Sequence, residues 1–514
     1  MSDYGQTTPS ALMHAAAAFA DADAIVDGSV RISFRELLDC VTETARAFIT
    51  LGVESGDRVA LWAPNTYHWI VSALAAHVAG AVLVPINTRY TTAEATDILE
   101  RTRARLLVVP DRFLGVDRLA ELDFAALSRL QIVTIPLGID TRPSHGPVTR
   151  WSELAALATE TPESAVLDRS AALTGDTVSD ILFTSGTTGK SKGAMSAHRQ
   201  SLSVARAWAD CTGLKAGDRY LVVNPFFHSF GFKAGILAAL SVGATIYPMA
   251  VYDPETAMRT IDRDRITVLP GAPTIFSTIL DHPSRPGYDL SSLRLAVTGA
   301  AVVPVTLIER MRDELTIDTT LTAYGLTEAV VATMCRPGDD AKTVASSSGR
   351  AAAGCEIRIG DRDEILVRGP NVMLGYLDDP EATAAAIDRD GWLHTGDVGR
   401  LDHRGYLTVT DRVKDMYISG GFNVYPAEIE QVILRFAGVA DVAVVGKSDP
   451  RLGEVGVAVV VPSPGAQIDA EALLTHCRTV LAGFKVPKTV ELRNELPRNA
   501  GGKILKRVLR EELR

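Results

Sequence analysis

Residues 181–193 read ILFTSGTTGKSKG, an apolar run that continues into hydroxyl-bearing residues, glycines and lysines. The glycines allow the backbone to turn its amides toward one point, the hydroxyls add donors, and the lysines add positive charge. We therefore predict a loop at the end of a strand that cradles a polyphosphate. The stretch resembles the end of a Walker A loop, but that motif needs a glycine at Thr184, so the match fails. A solvated Gly/Thr hairpin is the alternative interpretation.

Short β-branched runs alternate with helix-sized segments through most of the chain, which predicts α/β layers with largely parallel sheets. The predicted helices lie at 33–51, 69–79 and 91–101. The predicted strands lie at 58–62, 81–85, 106–109, 132–135, 220–223, 245–247, 267–269 and 295–297. The expected fold class is α/β, with a large multi-lobed N-terminal domain over residues 1–411.

The chain after residue 411 has a different pattern. A glycine-containing turn precedes a predicted helix at 426–436, strands at 440–445 and 456–461, and a helix at 469–481. These elements suffice for a small α+β C-terminal domain with its own core, which we expect over residues 412–514.

Composition narrows the class of protein. The chain has 514 residues, 46% of them hydrophobic and 22% charged, which is typical of a globular enzyme. Its net charge of −10 argues against a nucleic-acid-binding protein, which usually carries a basic face. The five cysteines form no CxxC pair, so we expect small buried residues and neither disulfides nor a structural metal site.

The N-terminus has no basic region of the kind that begins a signal peptide. Residues 69–86 are almost wholly apolar, but Gly80 interrupts them, so we predict a buried helix followed by a buried strand. We therefore expect a cytoplasmic protein without a transmembrane segment.

Six further motifs follow the loop in order. They read NPFFHSFG at 224–231, TGAA at 298–301, YGLTE at 324–328, GWLHTGD at 391–397, DRVKDMYISGGFNVYPAEIE at 411–430 and PRNAGGK at 497–503. Small residues after a strand let a flat ring approach the backbone, and a carboxylate such as Asp397 can accept both ribose hydroxyls. Together the motifs resemble the adenylate-forming superfamily, and within it the AMP-forming acyl-CoA synthetases.

This resemblance implies a role for individual residues. It implies catalytic roles for Lys503, Glu328, Thr184 and His228, with Glu328 also holding Mg²⁺. It implies ATP or AMP binding by Thr184, Ser185, Gly186, Thr187, Thr188, Gly189, Lys192, Gly299, Ala300, Ala301, Tyr324, Gly325, Thr327, Asp397, Arg412 and Lys503. It implies an acyl pocket formed by Phe227, His228, Phe230, Gly231, Gly271, Thr298 and Gly299. It implies a CoA passage at Gly420, Gly421 and Phe422, and a hinge at Lys414.

The implied reaction joins a carboxylic acid to CoA through an acyl-adenylate. It uses ATP and CoA as co-substrates and Mg²⁺ as the cofactor. The resemblance also makes a homodimer plausible. Residues 224–237, 266–276 and 416–430 resemble actinobacterial acyl-CoA synthetases of steroid breakdown, which act on the indanedione propionate left from the C and D rings. A medium-chain fatty or aryl acid is an alternative substrate. A carrier-protein thiol is an alternative acceptor, although CoA is favoured because no carrier domain follows Lys503. A luciferase-like oxygenase, a kinase and a non-catalytic nucleotide-binding protein are the remaining alternatives.

Overall fold

The structure is a computed structural model, and it describes residues 5–120, 122, 127, 129–137, 148–184, 191–299, 303–412, 415–419, 422–498 and 504–513. The chain divides into two compact units. The first contains Met1–Glu356 and Arg368–Gly391, and the second contains Ile357–Val367 and Trp392–Arg514.

The described strands, in chain order, are β1 Asp23–Asp27, β2 Val30–Ser33, β3 Arg58–Leu61, β4 Val82–Pro85, β5 Leu106–Pro110, β6 Gln131–Ile135, β7 Val148–Arg150, β8 Val178–Thr184, β9 Lys192–Ala197, β10 Arg219–Val222, β11 Thr245–Pro248, β12 Val268–Gly271, β13 Leu295–Gly299, β14 Thr319–Tyr324, β15 Thr333–Met334, β16 Arg350–Ala351, β17 Glu356–Ile359, β18 Glu364–Arg368, β19 Gly375–Tyr376, β20 Leu393–Leu401, β21 Leu407–Arg412, β22 Tyr417–Ser419, β23 Phe422–Val424, β24 Val439–Asp449, β25 Gly453–Pro462 and β26 Thr489–Leu492.

The described α-helices are α1 Thr8–Phe19, α2 Phe34–Thr50, α3 Tyr67–Val78, α4 Thr92–Thr102, α5 Leu154–Ala158, α6 Glu163–Ala172, α7 His198–Thr212, α8 Ala238–Val242, α9 Pro254–Asp264, α10 Pro273–Leu280, α11 Val305–Glu314, α12 Ala341–Ser346, α13 Pro380–Ala386, α14 Pro426–Ile433, α15 Ala470–Val480 and α16 Lys506–Glu512. A π-helix spans Phe230–Leu237. Short 3₁₀ helices span Trp151–Glu153, Arg285–Gly287, Asp361–Asp363 and Gly483–Lys485.

Two large sheets build the first unit. One has nine strands in the order β16-β15-β14-β13-β12-β10-β11-β1-β2. The pairings from β14 to β1 are parallel, whereas β16, β15 and β2 pair antiparallel at the two ends. The other has eight strands in the order β19-β9-β8-β4-β3-β5-β6-β7, and the segment from β8 to β7 is parallel. This confirms the expected α/β layers with largely parallel sheets.

Local sequence explains where the helices of this unit begin and which of them are buried. At α2, the Ser33 hydroxyl accepts from the Glu36 amide at 3.2 Å, and the Ser33 amide donates to the Glu36 carboxylate at 2.8 Å. This capping box satisfies two amides that the first turn leaves without partners. Helix α3 is apolar on all sides and is buried along nearly its whole length, as helices of that composition usually are.

The second unit contains two further sheets. A four-stranded sheet has the order β17-β18-β20-β21, and a five-stranded sheet has the order β23-β22-β25-β24, with β26 paired to β25. Helices α14 and α15 cover the five-stranded sheet around a core that includes Ile429, Val444 and Leu473. A separate small α+β core is therefore present, as expected. Packing groups β18 and β20 with this unit, and the domain boundary at Arg412 stays a prediction.

Most predicted elements lie within a few residues of the observed ones, including the buried helix and strand over 69–85. Among the described residues, no helix is long and apolar enough to cross a membrane. The cysteine prediction was partly wrong. Cys335 and Cys477 are buried, but Cys40 is exposed and Cys211 and Cys355 are only partly covered. Cys40 lies on the solvent-exposed face of the amphipathic helix α2.

Candidate active site

The carboxyl ends of parallel strands meet at one edge of the nine-stranded sheet. Gly271 is opposite Thr298 in the register, and Gly299 is opposite Ala323, which precedes Tyr324. Three separate motifs are thus brought to neighbouring positions. Because ligands of open α/β sheets bind beyond the carboxyl ends of the strands, this edge is where a nucleotide would be expected.

The YGLTE motif turns back sharply after β14. A Cβ atom at Gly325 would lie 1.7 Å from the carbonyl oxygen of Val330, so no other residue fits there without moving the backbone. Tyr324, Thr327 and Glu328 are all partly exposed. The turn therefore presents the three predicted ligand-binding side chains at the sheet edge and keeps them accessible.

The predicted phosphate loop connects β8 to β9, which pair antiparallel. Thr184 is opposite Lys192, and its hydroxyl donates to the Lys192 carbonyl at 3.4 Å. Arg101 of α4 donates to the Ser191 carbonyl at 2.8 Å, and its guanidinium lies 5.0 Å from the centre of the Phe183 ring. One side chain thus contacts both strands next to the loop. The predicted residues Ser185, Gly186, Thr187, Thr188 and Gly189 lie outside the described residues.

The lysine at the end of the loop and the glutamate of the YGLTE motif share a neighbour. The Tyr376 hydroxyl donates to Glu328 Oε1 at 2.8 Å, and Lys192 Nζ lies 5.0 Å from the centre of the Tyr376 ring. Burial, and next the charge of Glu328, raise the pKa of Tyr376 above its usual value. The phenol therefore stays protonated and remains a donor to the carboxylate.

Glu328 is the predicted metal ligand. Within the described part of the chain, no group of three or more His, Cys, Asp or Glu residues could hold a metal ion. Glu328 offers one carboxylate, oriented through Oε1 by Tyr376. Mg²⁺ is commonly held by one or two carboxylates together with water and substrate phosphates, so this single oriented carboxylate fits that ion.

His228 follows β10 on a segment that a buried asparagine holds in place. Asn65 is 4% exposed, donates to the carbonyls of Val222 and Asn224 at 3.2 and 2.9 Å, and accepts from the Phe226 amide at 2.7 Å. His228 Nδ1 accepts from the Phe230 amide at 3.2 Å, so the neutral ring carries its proton on Nε2. Although the residue is partly accessible to solvent, desolvation of the ring by the surrounding protein lowers the pKa of His228.

The predicted acyl-pocket residues differ in their surroundings. Phe227 is partly exposed, and Phe230 packs edge-on against Trp208 at 5.1 Å between ring centres. Gly231 is buried, and a Cβ atom there would lie 2.2 Å from the Pro225 carbonyl oxygen. Gly231 is therefore needed for the close approach of the π-helix to the preceding turn, which the sequence does not reveal.

Two buried donors near these residues have no partner within the described part of the chain. They are the Thr298 hydroxyl, on a side chain 1% exposed, and the Asn224 amide nitrogen. Buried polar groups in native proteins are nearly always paired, so these two call for a ligand or water. The hydroxyl of Thr320, on the adjacent strand, is also buried and has no partner among the described residues.

Thr322 lies on β14, two residues before Tyr324. Its hydroxyl lies 2.9 Å from the carbonyl oxygens of Val344 and Ser347 and is 4% exposed. These carbonyls belong to the C-terminal end of α12, where helical carbonyls lack intrahelical partners. Thr322 therefore stabilises the end of a helix.

A fully buried ion pair lies behind the site. Lys233 Nζ, on the π-helix, is 2.9 Å from Asp180 Oδ1 on β8, and the two side chains are 1% and 0% exposed. Asp180 Oδ2 accepts from the hydroxyls of Ser179 and Ser201 at 2.6 and 2.8 Å, and Lys233 donates to Ser196 Oγ at 2.8 Å. The strand that enters the phosphate loop is thus joined to the helix that follows His228.

The second unit contains Asp397, Arg412 and Phe422 among the predicted residues. Asp397 on β20 is 6% exposed and lies opposite Arg412 of β21 in the register. Phe422 begins β23. Six other predicted residues lie outside the described residues, namely Ala300, Ala301, Lys414, Gly420, Gly421 and Lys503.

Sequence reasoning missed Tyr376, Arg101 and Asn65. Tyr376 is 48 residues from its partner Glu328, and no local pattern connects the two. Lys233 gave a usable signal, because a charge within the apolar run GFKAGILAAL requires a buried partner.

The chain is similar to known proteins over its full length. The family model described as AMP-binding enzyme matches residues 12–377, and the model described as AMP-binding enzyme C-terminal domain matches residues 428–503. The chain is 56% identical to a 7a-methyl-1,5-dioxo-octahydroindenyl propanoyl:CoA ligase of Rhodococcus jostii strain RHA1, with 100% of each chain covered. It is 56% identical to the ligase of the same name from Mycobacterium tuberculosis strain H37Rv, over 98% of this chain and 99% of that one.

Among solved structures, ATP-bound MatB from Rhodopseudomonas palustris is similar with a TM-score of 0.86 at 30% identity, over 99% of each chain. The similarity therefore includes both the large α/β unit and the small α+β core. The chain belongs to the AMP-binding enzyme family and is an acid–thiol ligase of the AMP-forming acyl-CoA synthetase type.

Proposed function

We propose that this ligase activates the propionate side chain of a bicyclic indanedione, the remnant of steroid rings C and D, and transfers it from AMP to CoA. The observation that carries the proposal is the 56% identity, over the full length of both chains, to the Rhodococcus ligase whose name specifies that acid. The matched region spans every motif named above.

Two buried donors support an acid that bears ketones. The Thr298 hydroxyl and the Asn224 amide lack partners among the described residues, and both belong to segments predicted to form the acyl pocket or adjoin it. A straight hydrocarbon chain would leave both donors unpaired, at a cost of about 1–3 kcal/mol each. Ring ketones are acceptors without a proton and would pair with such donors.

The first proposed step forms the acyl-adenylate. A carboxylate oxygen attacks the α-phosphorus of ATP, the bond to the bridging oxygen of the β-phosphate breaks, and pyrophosphate leaves. The loop at 184–192 holds the departing phosphates, Thr327 donates to the α-phosphate, and Lys503 neutralises charge that develops there. Positioning and charge stabilisation dominate such a reaction, since the protein forms no covalent bond. Mg²⁺ held by Glu328 would supply further positive charge to the phosphate oxygens.

The second proposed step uses the same cavity after a rotation at Lys414. The part that moves is residues 412–514, which withdraws Lys503 and brings Gly420 and Gly421 to the adenylate. The CoA sulfur attacks the acyl carbon, the bond to the AMP oxygen breaks, and the thiol proton passes to solvent. Rotation of a small domain lets one site serve two reactions in turn.

A panel of acids tests the proposed substrate. CoA-dependent AMP release would be measured for the indanedione propionate, for its ring hydrocarbon analogue without ketones, and for straight-chain and aryl acids. We expect kcat/KM to be at least about tenfold higher for the indanedione, the factor that 1.4 kcal/mol of selective binding gives. Faster turnover of a straight-chain or aryl acid would overturn the substrate and leave the ligase class intact.

A matched pair of threonine variants tests the donors. Thr298→Val should lower kcat/KM for the diketone by about tenfold or more and leave the hydrocarbon analogue nearly unchanged, because only the former uses the hydroxyl. Thr320→Val removes an equally buried and unpartnered hydroxyl on the next strand. It should not alter the ratio between the two acids. Equal effects of both variants on that ratio would contradict the assignment of Thr298.

A further inference from the structure

Residues 371–377 lie between the YGLTE and GWLHTGD motifs in the sequence. Their backbone contacts both the YGLTE motif and β9, the strand that follows the predicted phosphate loop. The Met373 amide donates to the Glu328 carbonyl at 2.7 Å, the Leu374 amide to the Met195 carbonyl at 2.8 Å, and the Leu377 amide to the Gly193 carbonyl at 2.8 Å. Its short strand β19 pairs with β9, which leaves the phosphate loop. We call residues 371–377 the bridging segment.

Buried contacts fix this segment at its beginning. Asn371 is 5% exposed, and its amide donates to the carbonyls of Ala329 and Val331 at 2.8 and 2.9 Å. Gln200 of α7 donates to the Val372 carbonyl. The backbone of the bridging segment is thus held by both the YGLTE turn and β9, independently of any side chain at position 376.

Tyr376 is the one side chain of the segment whose described contacts reach the functional groups of both motifs. Its hydroxyl donates to Glu328 Oε1 at 2.8 Å. This hydrogen bond engages one carboxylate oxygen and leaves Oε2 for another ligand. Its ring faces Lys192 Nζ at 5.0 Å, a distance at which a cation is attracted to the ring face. A carboxylate and an ammonium group of opposite charge are therefore both held by one uncharged residue.

We propose that Tyr376 is a positioning residue for adenylation. Its hydroxyl sets the orientation of the Glu328 carboxylate toward Mg²⁺, and its ring sets the position of Lys192 beside the phosphates. This inference rests on the proposed roles of Glu328 and Lys192, and it adds a third residue that acts through both. The neutral donor suits this role, because a lysine at position 376 would pair with Glu328 and compete with the metal for it.

Two substitutions separate the two contacts. Tyr376→Phe keeps the ring over Lys192 and removes the donor to Glu328, whereas Tyr376→Leu removes both. The backbone bonds of the bridging segment do not involve the phenol, so both variants should fold. Tyr252→Phe is the matched control, since the Tyr252 hydroxyl donates to the Ile275 carbonyl at 3.0 Å elsewhere in the same unit.

The readout is the affinity for ATP, measured by calorimetry without acid or CoA, first in EDTA and then across a range of Mg²⁺ concentrations. For Tyr376→Phe we expect the Mg²⁺ concentration at half-saturation to rise by about 10- to 100-fold, as for loss of a residue that orients a metal ligand. ATP affinity in EDTA should stay as in the wild type. For Tyr376→Leu that affinity should also fall, by about two- to fivefold, as Lys192 loses the ring.

Adenylation is then measured as acid-dependent pyrophosphate release at a low and at a saturating concentration of Mg²⁺. A role in positioning predicts partial recovery of the Tyr376→Phe rate at high Mg²⁺, whereas a general structural defect would not respond to the metal. If Tyr376→Phe reached half-saturation of ATP binding at the wild-type Mg²⁺ concentration, the role of Tyr376 would be overturned. The roles of Glu328 and Lys192 would be unaffected by that result. ATP binding by the wild type that ignores Mg²⁺ would overturn the role of Glu328 and, with it, this inference.

Discussion

Lys233 and Lys192 belong to the same unit and differ in what surrounds them. Lys233 is 1% exposed and pairs with the equally buried Asp180 at 2.9 Å, with serine hydroxyls satisfying the remaining polar atoms. Lys192 is partly exposed and lies over the face of Tyr376. The first lysine has a fixed partner of opposite charge, whereas the second is held by a neutral ring.

The difference shows one lysine that serves the structure and another that we propose to bind ligand. A buried charge cannot lose its partner without a large free-energy cost, so the pair of Asp180 and Lys233 fixes the π-helix against β8. A lysine held by a ring keeps its charge available to an incoming phosphate, at a smaller cost in stability. The predictions below test each side of this contrast, beginning with the largest effect.

Lys233→Met should lower the free energy of unfolding by about 3–5 kcal/mol, because it leaves the Asp180 carboxylate buried without its cation. Chemical denaturation followed by fluorescence measures this. The double variant Lys233→Met with Asp180→Leu should recover most of the loss, since neither charge then remains. A double variant as unstable as the single one would show that packing, and not charge, explains the effect.

The pair formed by Lys488 and Asp449, 2.6 Å apart, is the matched control, because the lysine is 61% exposed. Lys488→Met should have little effect on stability, as is usual for ion pairs at the surface. Equal losses in Lys233→Met and Lys488→Met would remove the contrast between the buried and the exposed lysine.

The histidine beside the buried pair should make stability depend on pH. Burial lowers the pKa of His77 from 6.5 to about 4, and its Nε2 lies 2.9 Å from the Ser179 carbonyl oxygen. Between pH 6.5 and 4 the unfolded chain binds a proton at this residue that the folded chain does not, so stability falls as the pH falls. The loss is about 1.4 kcal/mol per pH unit, or about 2 kcal/mol from pH 6.5 to 5.

His77→Gln should reduce this slope by about one proton, measured as the free energy of unfolding at several pH values. His403→Gln, at an exposed turn position, should leave the slope unchanged. A slope that is the same in the wild type and in His77→Gln would contradict a neutral His77 in the folded state.

The smallest effect is expected at Arg101, which lies beside the predicted phosphate loop, near Lys192. Arg101→Gln loses the contact with the Phe183 ring and the charged donor to the Ser191 carbonyl. We expect a cost of about 1 kcal/mol, seen as a roughly fivefold rise in KM for ATP with kcat nearly unchanged. Arg89→Gln, at an exposed turn position, is the control. A fall in kcat with constant KM would contradict a role in holding the loop.

Much of the fold followed from local sequence. Hydrophobic periodicity predicted α2, α3 and the short parallel strands. The glycines and hydroxyls between β8 and β9 predicted a phosphate loop, whose residues 185–190 lie outside the described part of the chain. The motif residues Gly271, Thr298, Gly299 and Tyr324 do lie at one sheet edge, because the strands that precede them are parallel neighbours.

The remaining features depend on contacts between distant segments. Tyr376 meets Glu328 across 48 residues, and Asp180 meets Lys233 across two different elements, so neither pairing has a periodic signal. The need for glycine at position 231 arises from the Pro225 carbonyl and not from a turn type. The π-helix itself was not predicted, because its apolar run has no period that separates it from an α-helix.

The two-step use of one site is tested most directly by Lys503→Ala in separate half-reactions. Acid-dependent pyrophosphate release should fall by about 10²-fold or more, as when a main electrostatic donor is removed. Conversion of supplied acyl-adenylate and CoA to thioester should remain near the wild-type rate, and Lys488→Ala should affect neither. An equal fall in both half-reactions would contradict the account.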